Sequence, residues 1–495
     1  SQLKRLLEAD PGSKLAHALL KKVRPLIARA SESTLEPALD PTPHPVPGLT
    51  YETEPWGGRV PSLRVGVSCT QMGRPRARRS VTVRGHGAWK AVDPKKNRVL
   101  LTAAPGESWT LRIMPGKRVK KRRIRARLEF RSANGKVAAV PGDAVLLTPL
   151  EPATAAFNIV DASGHGPRSF RGNLEMALFG GARTIRVVNI IGLEDYTHGV
   201  VSSEMPQRAP FEALKAQAVV ARTHALYIKS LTRRHRKEGY DLCNEQHCQV
   251  YSGIQAETAR TRPVVIATRG RVATWHGKPA HVIYSSHCGG RTQSGSDIGW
   301  GAVPYWKSIP DTASPEPLPA SPLDLRLFLS DWPKGFDRPS SYVYPAHARW
   351  VRAIPAQALG EKLNRKFHIG QLHGLRVLRR APSGHVEALL IIGSKRNKKL
   401  GDEMSIRSLL GVGSLRSTMF VIDTEYRKGK PSKGKKSSHR APALEPETFV
   451  FRGGGWGHGV GLCQSGAMGR AEAGQSYEEI VKAYFLGVEV ETLDY

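Results

Sequence analysis

Long hydrophobic runs are absent from this 495-residue sequence. No stretch approaches the roughly 18 consecutive apolar residues of a membrane-spanning helix, so we expect no membrane span. Residues 1–30 are amphipathic and charged throughout, unlike the apolar core of a signal peptide, and we expect neither signal nor anchor within the chain. With 40% apolar residues the chain can still bury a core, and its length predicts more than one packing unit.

Cysteine is also scarce, with five residues in the whole chain, and an odd number excludes complete intramolecular pairing. Cys243 and Cys248 lie close together in DLCNEQHCQVYSG, where they can form a local disulfide. They can equally supply thiolate ligands to zinc, completed by His247, His287 or Cys288. The spacing is wider than that of the common CxxC zinc motif, and the residues themselves leave both alternatives open.

Acidic residues are few: 42 Asp and Glu stand against 75 Lys and Arg, for a formal net charge of +33. This excess predicts an anionic partner, either nucleic acid, a membrane surface or an acidic polymer of the cell envelope. The basic residues are densest within 101–140, where the alternation in RIRARLEFR favours a strand with one solvated basic face. No nucleic-acid-binding motif accompanies the charge, so we do not predict nucleic acid as the partner.

Specific phosphate-binding motifs are lacking as well. GKPSKGK, at 429–435, is one hydroxyl short of a P-loop, because Lys436 occupies the Ser/Thr position and no amphipathic helix follows. The C-terminal glycine-rich stretch also fails the dinucleotide-binding spacing, since Gly455 and Gly457 would need a third glycine where Val460 stands. The sequence therefore gives no support for phosphate recognition.

Secondary structure changes period along the chain. Short β-branched and apolar runs predict strands between 60 and 190, and further strands over RPVVIATRG and AHVIYSSHC. The spacing of apolar residues in 211–228 predicts an amphipathic helix with Pro210 in its first turn. LRVLRRAPSGHVEALLIIG predicts a hairpin.

Glu204 has the sequence context of a general acid. If 193–205 is helical, Glu204 shares a face with the apolar Tyr196 and Val200, and Pro206 ends the helix directly after it. Partial burial raises the pKa of a carboxyl group toward the range in which it can protonate a leaving group. The alternative is that Glu204 caps the turn in solvent. Asp195 lies on the opposite side of the helix and cannot act with Glu204.

The stretch GGGWGHGVGLCQSGA, at 453–467, is too rich in glycine to form a good core. Such a run indicates a place where the backbone approaches something closely, which could be a phosphate, a metal or a sugar. The alternative is a tightly packed turn in which His458 satisfies buried backbone groups.

Five ordered motifs resemble the SpoIID/LytB family, the group of stage II sporulation protein D and the amidase enhancer: GVVSSEMP, LKAQAVVARTHAL, CQVYSG, SSHCGGRT and GWGHGVGLCQSGA. The resemblance covers about 60–495. It implies an α+β, SpoIID-like fold in which a β-rich N-terminal part, a helical catalytic segment and the glycine-rich C-terminal motif form one glycan cleft. Cys463 departs from the serine that is frequent at this position in the family.

The resemblance and the composition together divide the chain. The predicted divisions are a helical leader and proline-rich linker at 1–48, a β-rich domain at 49–170, the first part of the catalytic core at 171–345, a mixed insertion with a mobile basic loop near 427–440 at 346–446, and the C-terminal part of the core at 447–495.

The function implied by the resemblance is that of a peptidoglycan lytic transglycosylase of the cell envelope, acting outside the cytoplasm. It would cleave glycan strands, especially peptide-denuded ones, with Glu204 as the single acid and base and with 1,6-anhydro ends as products. The alternative is a non-catalytic wall-binding protein that enhances an amidase. The partners implied are glycan strands and a cell-wall amidase, and no cofactor is required.

The resemblance also implies the residues of the site. The predicted substrate-binding residues are Tyr196, Gln217, Arg222, Gln249, Tyr251, Ser285, Ser286, Trp456, His458, Gln464 and Ser465. Some relatives carry zinc near the cleft, which makes Cys243, His247, Cys248 and Cys288 the predicted ligands here, with a disulfide between Cys243 and Cys248 as the alternative.

Overall fold

The β-rich part of the chain forms two large sheets and one two-stranded sheet in the structure, a computed structural model that describes residues 59–119, 122–151, 156–160, 167–314, 321–332, 334–411, 413–428 and 444–495. The strands are β1 (Ser62–Val67), β2 (Ser80–Gly85), β3 (Trp89–Asp93), β4 (Arg98–Ala103), β5 (Ser108–Met114), β6 (Lys117–Val119), β7 (Arg122–Ile124), β8 (Arg127–Ser132), β9 (Val137–Val140), β10 (Ala144–Pro149), β11 (Phe157–Ile159), β12 (Arg168–Phe170), β13 (Asn173–Phe179), β14 (Thr184–Gly192) and β15 (Leu242–Cys243).

One large sheet has the order β15-β1-β14-β13-β10-β3-β4, and the other has the order β12-β11-β2-β5-β8-β9. Alternate residues of both sheets point into one core, as expected of strands with one buried face. Trp89 anchors that core, with its ring edge-on to Phe157 at 5.9 Å between centroids. The strands predicted within 60–190 are confirmed.

Two helices follow the sheets and carry the predicted motifs. Helix α1 (Leu193–Glu204) continues directly from β14, and its end before Pro206 is confirmed. Helix α2 (Phe211–Tyr227) is also confirmed, with Pro210 as its N-cap. The prediction that α2 is amphipathic is wrong. Its polar side chains, including Gln217 and Arg222, are buried with the apolar ones because α2 contacts α1 on one side and the C-terminal helices on another.

The strand predicted over RPVVIATRG is wrong, because residues Thr261–Ala267 form helix α3. A short apolar run does not by itself distinguish a strand from a buried helix, and here Val264 and Val265 pack beside α2. The strand expected in AHVIYSSHC shrinks to two residues. The remaining elements of this part are β16 (Arg271–Trp275), β17 (Lys278–Pro279) and β18 (Tyr284–Ser285).

The segment from 322 to 454 contributes to two apolar cores, a larger one between Trp350 and Phe451 and a smaller one around Leu325 and Met419. Its elements are α4 (Pro322–Ser330), α5 (Pro345–Ala348), β19 (Arg349–Pro355), α6 (Ala356–Phe367), β20 (Leu372–Arg380), β21 (Val386–Gly393), β22 (Lys398–Leu400), α7 (Glu403–Leu409), β23 (Phe420–Lys428) and β24 (Leu444–Gly454). The hairpin of β20 and β21 is confirmed. Strand β24 pairs with β19 and β23, so this segment delivers the glycine-rich stretch that follows β24.

The chain ends with β25 (Leu462–Cys463), α8 (Gln464–Glu472), α9 (Tyr477–Tyr484) and β26 (Glu489–Thr492). Strand β25 pairs in parallel with β18, and β26 joins the edge of β16. The mixture of helix and sheet confirms an α+β fold. The predicted leader at 1–48 and most of the basic loop near 427–440 lie outside the described residues, and the domain limits stay predictions. Among the described helices, none has the length and apolar character needed to cross a bilayer.

Candidate active site

Glu204 is the last residue of α1, which places its carboxyl group at the end of a buried helix. Val200 and Tyr196, one and two turns earlier, have no exposed surface, whereas Glu204 itself is partly exposed. Burial raises the pKa of Glu204 to about 7, although hydrogen bonds from the Val250 N–H and the Tyr284 hydroxyl act in the opposite direction. The carboxyl group is therefore protonated in a large fraction of molecules at neutral pH.

The loop between Cys243 and Gly253 supplies the first of these hydrogen bonds. The backbone N–H of Val250 donates to Oε1 of Glu204 at 2.6 Å. The loop is fixed on both sides of that contact: the Tyr251 hydroxyl donates to Oδ1 of Asn189 at 2.9 Å, and the Ser252 N–H donates to Oγ of Ser203 at 3.2 Å. The CQVYSG motif thus holds the carboxyl group of Glu204 through its backbone.

Tyr284 and Gln249 form the second support. The Tyr284 hydroxyl hydrogen-bonds to Glu204 and lies 3.2 Å from Oε1 of Gln249. The amide nitrogen of Gln249 donates in turn to the Tyr196 hydroxyl at 3.3 Å and to the Ala221 carbonyl at 3.2 Å. Tyr284 was not among the predicted site residues. The signal that could have found it is its place directly before the predicted Ser285.

Gln464, the first residue of α8, joins the glycine-rich stretch to the same site. Its side-chain nitrogen donates to the backbone carbonyl of Glu204 at 3.1 Å and to Oε1 of Gln217 at 3.3 Å. The side-chain nitrogen of Gln217 is buried and has no hydrogen-bond partner in the described part of the chain. Four predicted residues, Glu204, Gln217, Gln249 and Gln464, therefore meet in one hydrogen-bonded group although they are far apart in sequence.

The glycines of the C-terminal stretch allow a close approach by the protein's own chain. Trp456 and His287 exchange backbone hydrogen bonds at 2.8 and 3.0 Å, and Gly457 has a φ of +110°. A Cβ atom at Gly457 would lie 2.8 Å from Cβ of Ser285. The close approach predicted for this stretch is thus made by the SSHCGG segment, and side chains larger than hydrogen would separate the two segments.

His458 is engaged by backbone groups. Burial lowers its pKa to about 4, so its ring is neutral at pH 7. Nδ1 accepts from the Val460 N–H at 3.1 Å, and the ring also hydrogen-bonds to the backbone of Tyr284. The ring of Trp300, about half exposed, lies 5.0 Å from that of His458 between centroids. Trp300 is a large exposed aromatic that sequence reasoning missed, although glycines flank it.

Five predicted substrate-binding residues lie below the surface, which corrects the prediction of direct contact. Tyr196, Gln217, Arg222, Gln249 and Tyr251 are at most 1% exposed. Arg222 forms a two-point salt bridge with Glu194, at 2.9 and 2.6 Å, that ties α2 to the start of α1. These side chains can support Glu204 but have no surface to offer a ligand.

The predicted serines lie around β18. Ser286 accepts through its backbone carbonyl from both the N–H and the hydroxyl of Ser465, at 3.1 and 2.9 Å. The hydroxyl of Ser285 is buried and unpartnered within the described residues. Trp456 is partly exposed, with the guanidinium of Arg416 4.3 Å from its ring centre.

The predicted metal ligands separate into two groups. Cys243, His247 and Cys248 cluster with His235, and all four ligand atoms lie within 4.8 Å of one another. Cys288 belongs to a different cluster, with Asp311, Asp337 and Cys463, which corrects its assignment to this one. The sequence analysis did not identify His235, because it lies outside the motif DLCNEQHCQVYSG. It belongs to an earlier turn that the fold places beside Cys243 and Cys248.

The first cluster fits zinc by its donor chemistry. His235 Nε2 lies 3.3 Å from the sulfur of Cys248, and His247 Nδ1 lies 3.8 and 3.9 Å from the two sulfurs. Tetrahedral zinc separates sulfur and nitrogen ligands by about 3.5 Å. Hydrogen bonds from Cys243, His235 and His247 hold the pKa of the Cys248 thiol well below its usual range, which favours the thiolate that a metal requires. Both cysteines are free thiols in the structure.

Comparison with known proteins gives two family matches. The profile of the family described as SpoIID, Stage II sporulation protein, matches residues 182–275. A domain of unknown function (DUF8618) matches residues 302–461.

Individual relatives cover more of the chain. Stage II sporulation protein D of Bacillus subtilis is 28% identical over 319 residues, which are 62% of this chain and 76% of that protein. An uncharacterized protein of Brachyspira hyodysenteriae is 28% identical over 308 residues, 62% of this chain and 68% of its own. The amidase enhancer of B. subtilis is 27% identical over 299 residues, 58% of this chain and 39% of that protein.

Proposed function

Because this chain belongs to the SpoIID/LytB family, we propose that it is a lytic transglycosylase that cleaves the glycan strands of bacterial peptidoglycan. The observation that carries the proposal is the state of Glu204, a partly exposed residue whose carboxyl group has a pKa raised to about 7 by burial. A group with this pKa can donate a proton at neutral pH and accept one in a later step.

The reaction uses Glu204 twice. As an acid, its carboxyl group protonates the glycosidic oxygen, so the bond from that oxygen to C1 of the muramyl sugar breaks. As a base, the resulting carboxylate removes the proton from the C6 hydroxyl of the same sugar, and that oxygen bonds to C1. The product is a 1,6-anhydro ring, no water is consumed, and Glu204 ends in its starting state.

This route suits a site with one carboxyl group. Among the described residues, burial, the Val250 N–H and the Tyr284 hydroxyl are what shift the pKa of Glu204, and no second carboxylate contributes. A two-carboxylate glycosidase places its second acid about 5–9 Å from the first, where its charge would act on the pKa of Glu204. The contacts of Val250, Tyr284 and Gln464 would hold the carboxyl group in place during both proton transfers.

The glycan is proposed to lie beside Glu204 in a cleft bordered by the glycine-rich stretch. Trp456 and Trp300 offer aromatic surface of the kind that packs against sugar rings. Because His458 is occupied by backbone groups, we assign it the role of holding this wall rather than of binding sugar.

Zinc is proposed at the cluster of His235, Cys243, His247 and Cys248 as a structural ion. When bound, it would cross-link the loop that carries Gln249 and Val250. The chemical step itself requires no cofactor. A disulfide between Cys243 and Cys248 is the competing assignment, and stoichiometric zinc in the purified chain would exclude it.

The cellular setting proposed is the envelope outside the cytoplasm. A net charge of +33 suits binding to the anionic polymers of a cell wall. The similarity to a protein named amidase enhancer supports a cell-wall amidase as a partner. It also supports a second candidate function, a non-catalytic wall-binding protein that enhances such an amidase.

Mass spectrometry of products from purified glycan strands, denuded and undenuded, tests the proposal. We expect 1,6-anhydro ends with the wild type and none with Glu204→Gln, which preserves the shape of the side chain. Reducing ends would mean a hydrolase and would overturn the single-acid route. Binding without cleavage by both proteins would replace the enzyme by the amidase-enhancing function.

A further inference from the structure

A second cluster of metal-ligating groups lies one residue from Gln464, on the segments that form one wall of the candidate site. The cluster consists of Cys288, Asp311, Asp337 and Cys463, which come from four separate parts of the chain. Each of these residues is at most 1% exposed. One ligand atom from each lies within 4.8 Å of all the others. Neither the family resemblance nor the site described above uses these side chains as a group.

The distances inside the cluster are those of ligand atoms around a single centre. The sulfur of Cys288 lies 3.5 Å from Oδ2 of Asp311 and 3.4 Å from Oδ2 of Asp337. The sulfur of Cys463 accepts backbone N–H bonds from Cys288 and Gly466, at 3.1 and 3.3 Å. Ligand atoms around tetrahedral zinc are about 3.3–3.8 Å apart, which matches the two sulfur–oxygen distances.

Asp337 carries the independent sign that a positive centre belongs here. Its Oδ1 atom is buried and unpartnered in the described part of the chain. Its Oδ2 atom lies 3.4 Å from Nδ1 of His287. That nitrogen accepts a hydrogen bond from the Gly289 N–H at 2.9 Å, so it carries a lone pair and does not donate a hydrogen bond to Asp337. Buried carboxylate oxygens are normally paired, because an unpaired one loses its hydration without replacement.

Asp311 differs from Asp337 in being partly neutralised by neighbours. Arg470 approaches its Oδ1 atom at 3.1 Å, and the Tyr484 hydroxyl lies 2.8 and 2.9 Å from its two oxygens. Among the described residues, the one arginine that forms a salt bridge with this pair of buried carboxylates is Arg470, and it contacts Asp311. A divalent cation would satisfy the remaining oxygens and both sulfurs at once.

We propose that Cys288, Asp311, Asp337 and Cys463 bind one Zn²⁺ ion as a structural site. Two thiolates with two carboxylates form a mixed soft and hard donor set that suits zinc better than calcium or magnesium. Binding releases two thiol protons to solvent, so the total charge of the buried group does not change. A disulfide between Cys288 and Cys463 would instead remove the S–H donors and leave both carboxylates less satisfied.

The ion would cross-link the segments that form one wall of the candidate site. Cys288 follows Ser285 and Ser286, while Cys463 caps helix α8 immediately before Gln464. Gly466 lies against the cluster so closely that a Cβ atom there would overlap Oδ2 of Asp311. The site therefore connects the SSHCGG segment, the start of α8 and the two loops that carry the aspartates.

Metal analysis of the full chain tests this site separately from the cluster around Cys243. In a chain with Cys243→Ser and Cys248→Ser, purified from zinc-supplemented medium, we expect about one zinc per chain. Adding Cys463→Ser should remove it, whereas adding Cys69→Ser, at a buried cysteine outside both clusters, should not. Substitution with Co²⁺ should give thiolate-to-cobalt absorption that Cys463→Ser abolishes. Absence of zinc from the folded parent variant would overturn the proposal.

Two measurements on the wild type keep the test independent of how the variants fold. Crystals should show an anomalous scattering peak at the zinc edge between the sulfurs of Cys288 and Cys463, and no peak there would overturn the site. Peptide mapping without reductant should recover the two cysteines unlinked. A cross-linked peptide containing both would assign a disulfide instead. None of these readouts depends on glycan cleavage, so the site can stand or fall apart from the proposed function.

Discussion

The backbone N–H of Val250 lies 2.6 Å from Oε1 of Glu204, and it comes from a loop 46 residues further along the chain. This bond favours the ionised carboxylate, while burial at the end of α1 favours the neutral acid. Burial is the larger effect, and the pKa of Glu204 settles at about 7. The protein thus keeps an acid protonated near neutral pH while fixing its position with a hydrogen bond.

The pH dependence of glycan cleavage should report the ionisation of Glu204. The acid must be protonated to break the glycosidic bond, so kcat/KM should be level below about pH 6 and fall about ten-fold per pH unit above about 7, the pKa raised by burial. Initial rates of anhydro-product formation in buffers of constant ionic strength would measure this. A profile that stays level to pH 9 would contradict the assignment.

In Tyr284→Phe, the pH at which kcat/KM begins to fall should be higher than in the wild type. The Tyr284 hydroxyl bonds to the carboxylate and lowers the pKa of Glu204, so its loss should raise that pKa further. One neutral hydrogen bond contributes about 0.5–1.5 kcal/mol, which corresponds to a movement of about one pH unit or less. Tyr305→Phe is the matched control, because its buried hydroxyl contacts the His281 N–H and not Glu204. If kcat/KM falls at the same pH in Tyr284→Phe as in the wild type, the result would contradict the hydrogen bond between Tyr284 and Glu204.

Glu204→Gln should be more stable than the wild type above pH 7. Below about pH 4.5 both folded and unfolded chains carry the neutral acid. As the pH rises, the unfolded chain ionises first, so the wild type loses stability until the folded pKa of about 7 is passed. One pKa unit corresponds to about 1.4 kcal/mol. The rise of the Glu204 pKa from 4.5 to about 7 therefore lowers the free energy of unfolding of the wild type by about 3 kcal/mol at high pH.

Urea unfolding of the two proteins at pH 5 and pH 8 measures this difference. The gain of the variant should be large at pH 8 and small at pH 5. Glu472→Gln, at an exposed glutamate on the last turn of α8, is the control and should show no such pH dependence. An equal gain at both pH values would mean that the charge of Glu204 is not the cause.

Arg222→Met should destabilise the fold by about 3–5 kcal/mol, because it leaves the carboxylate of Glu194 without its cation in a fully buried position. The double variant Arg222→Met with Glu194→Gln should recover part of that loss, since no buried charge is then left alone. Denaturant unfolding measures both. A loss below about 1 kcal/mol in the single variant would contradict a structural role, and with it the placement of Arg222 below the surface.

The helices and strands were largely readable from the sequence. The strands within 60–190 follow β-branched runs between turn residues, and the end of α1 follows from Pro206, which blocks helical geometry in the residue before it. The run 262–270 was misread, because a short apolar stretch suits either a strand or a buried helix until its neighbours are known.

Local periodicity by itself determined that Glu204 ends a helix on an apolar face, since that depends on residues within two turns. Only the tertiary structure decided which groups hold its carboxyl group, because Val250, Tyr284 and Gln464 come from separate segments. The same holds for His235 in one metal cluster and for Cys288 in the other. Hydrogen bonds and ligand sets depend on distances in space, and sequence spacing reports those distances only within a single helix, strand or turn.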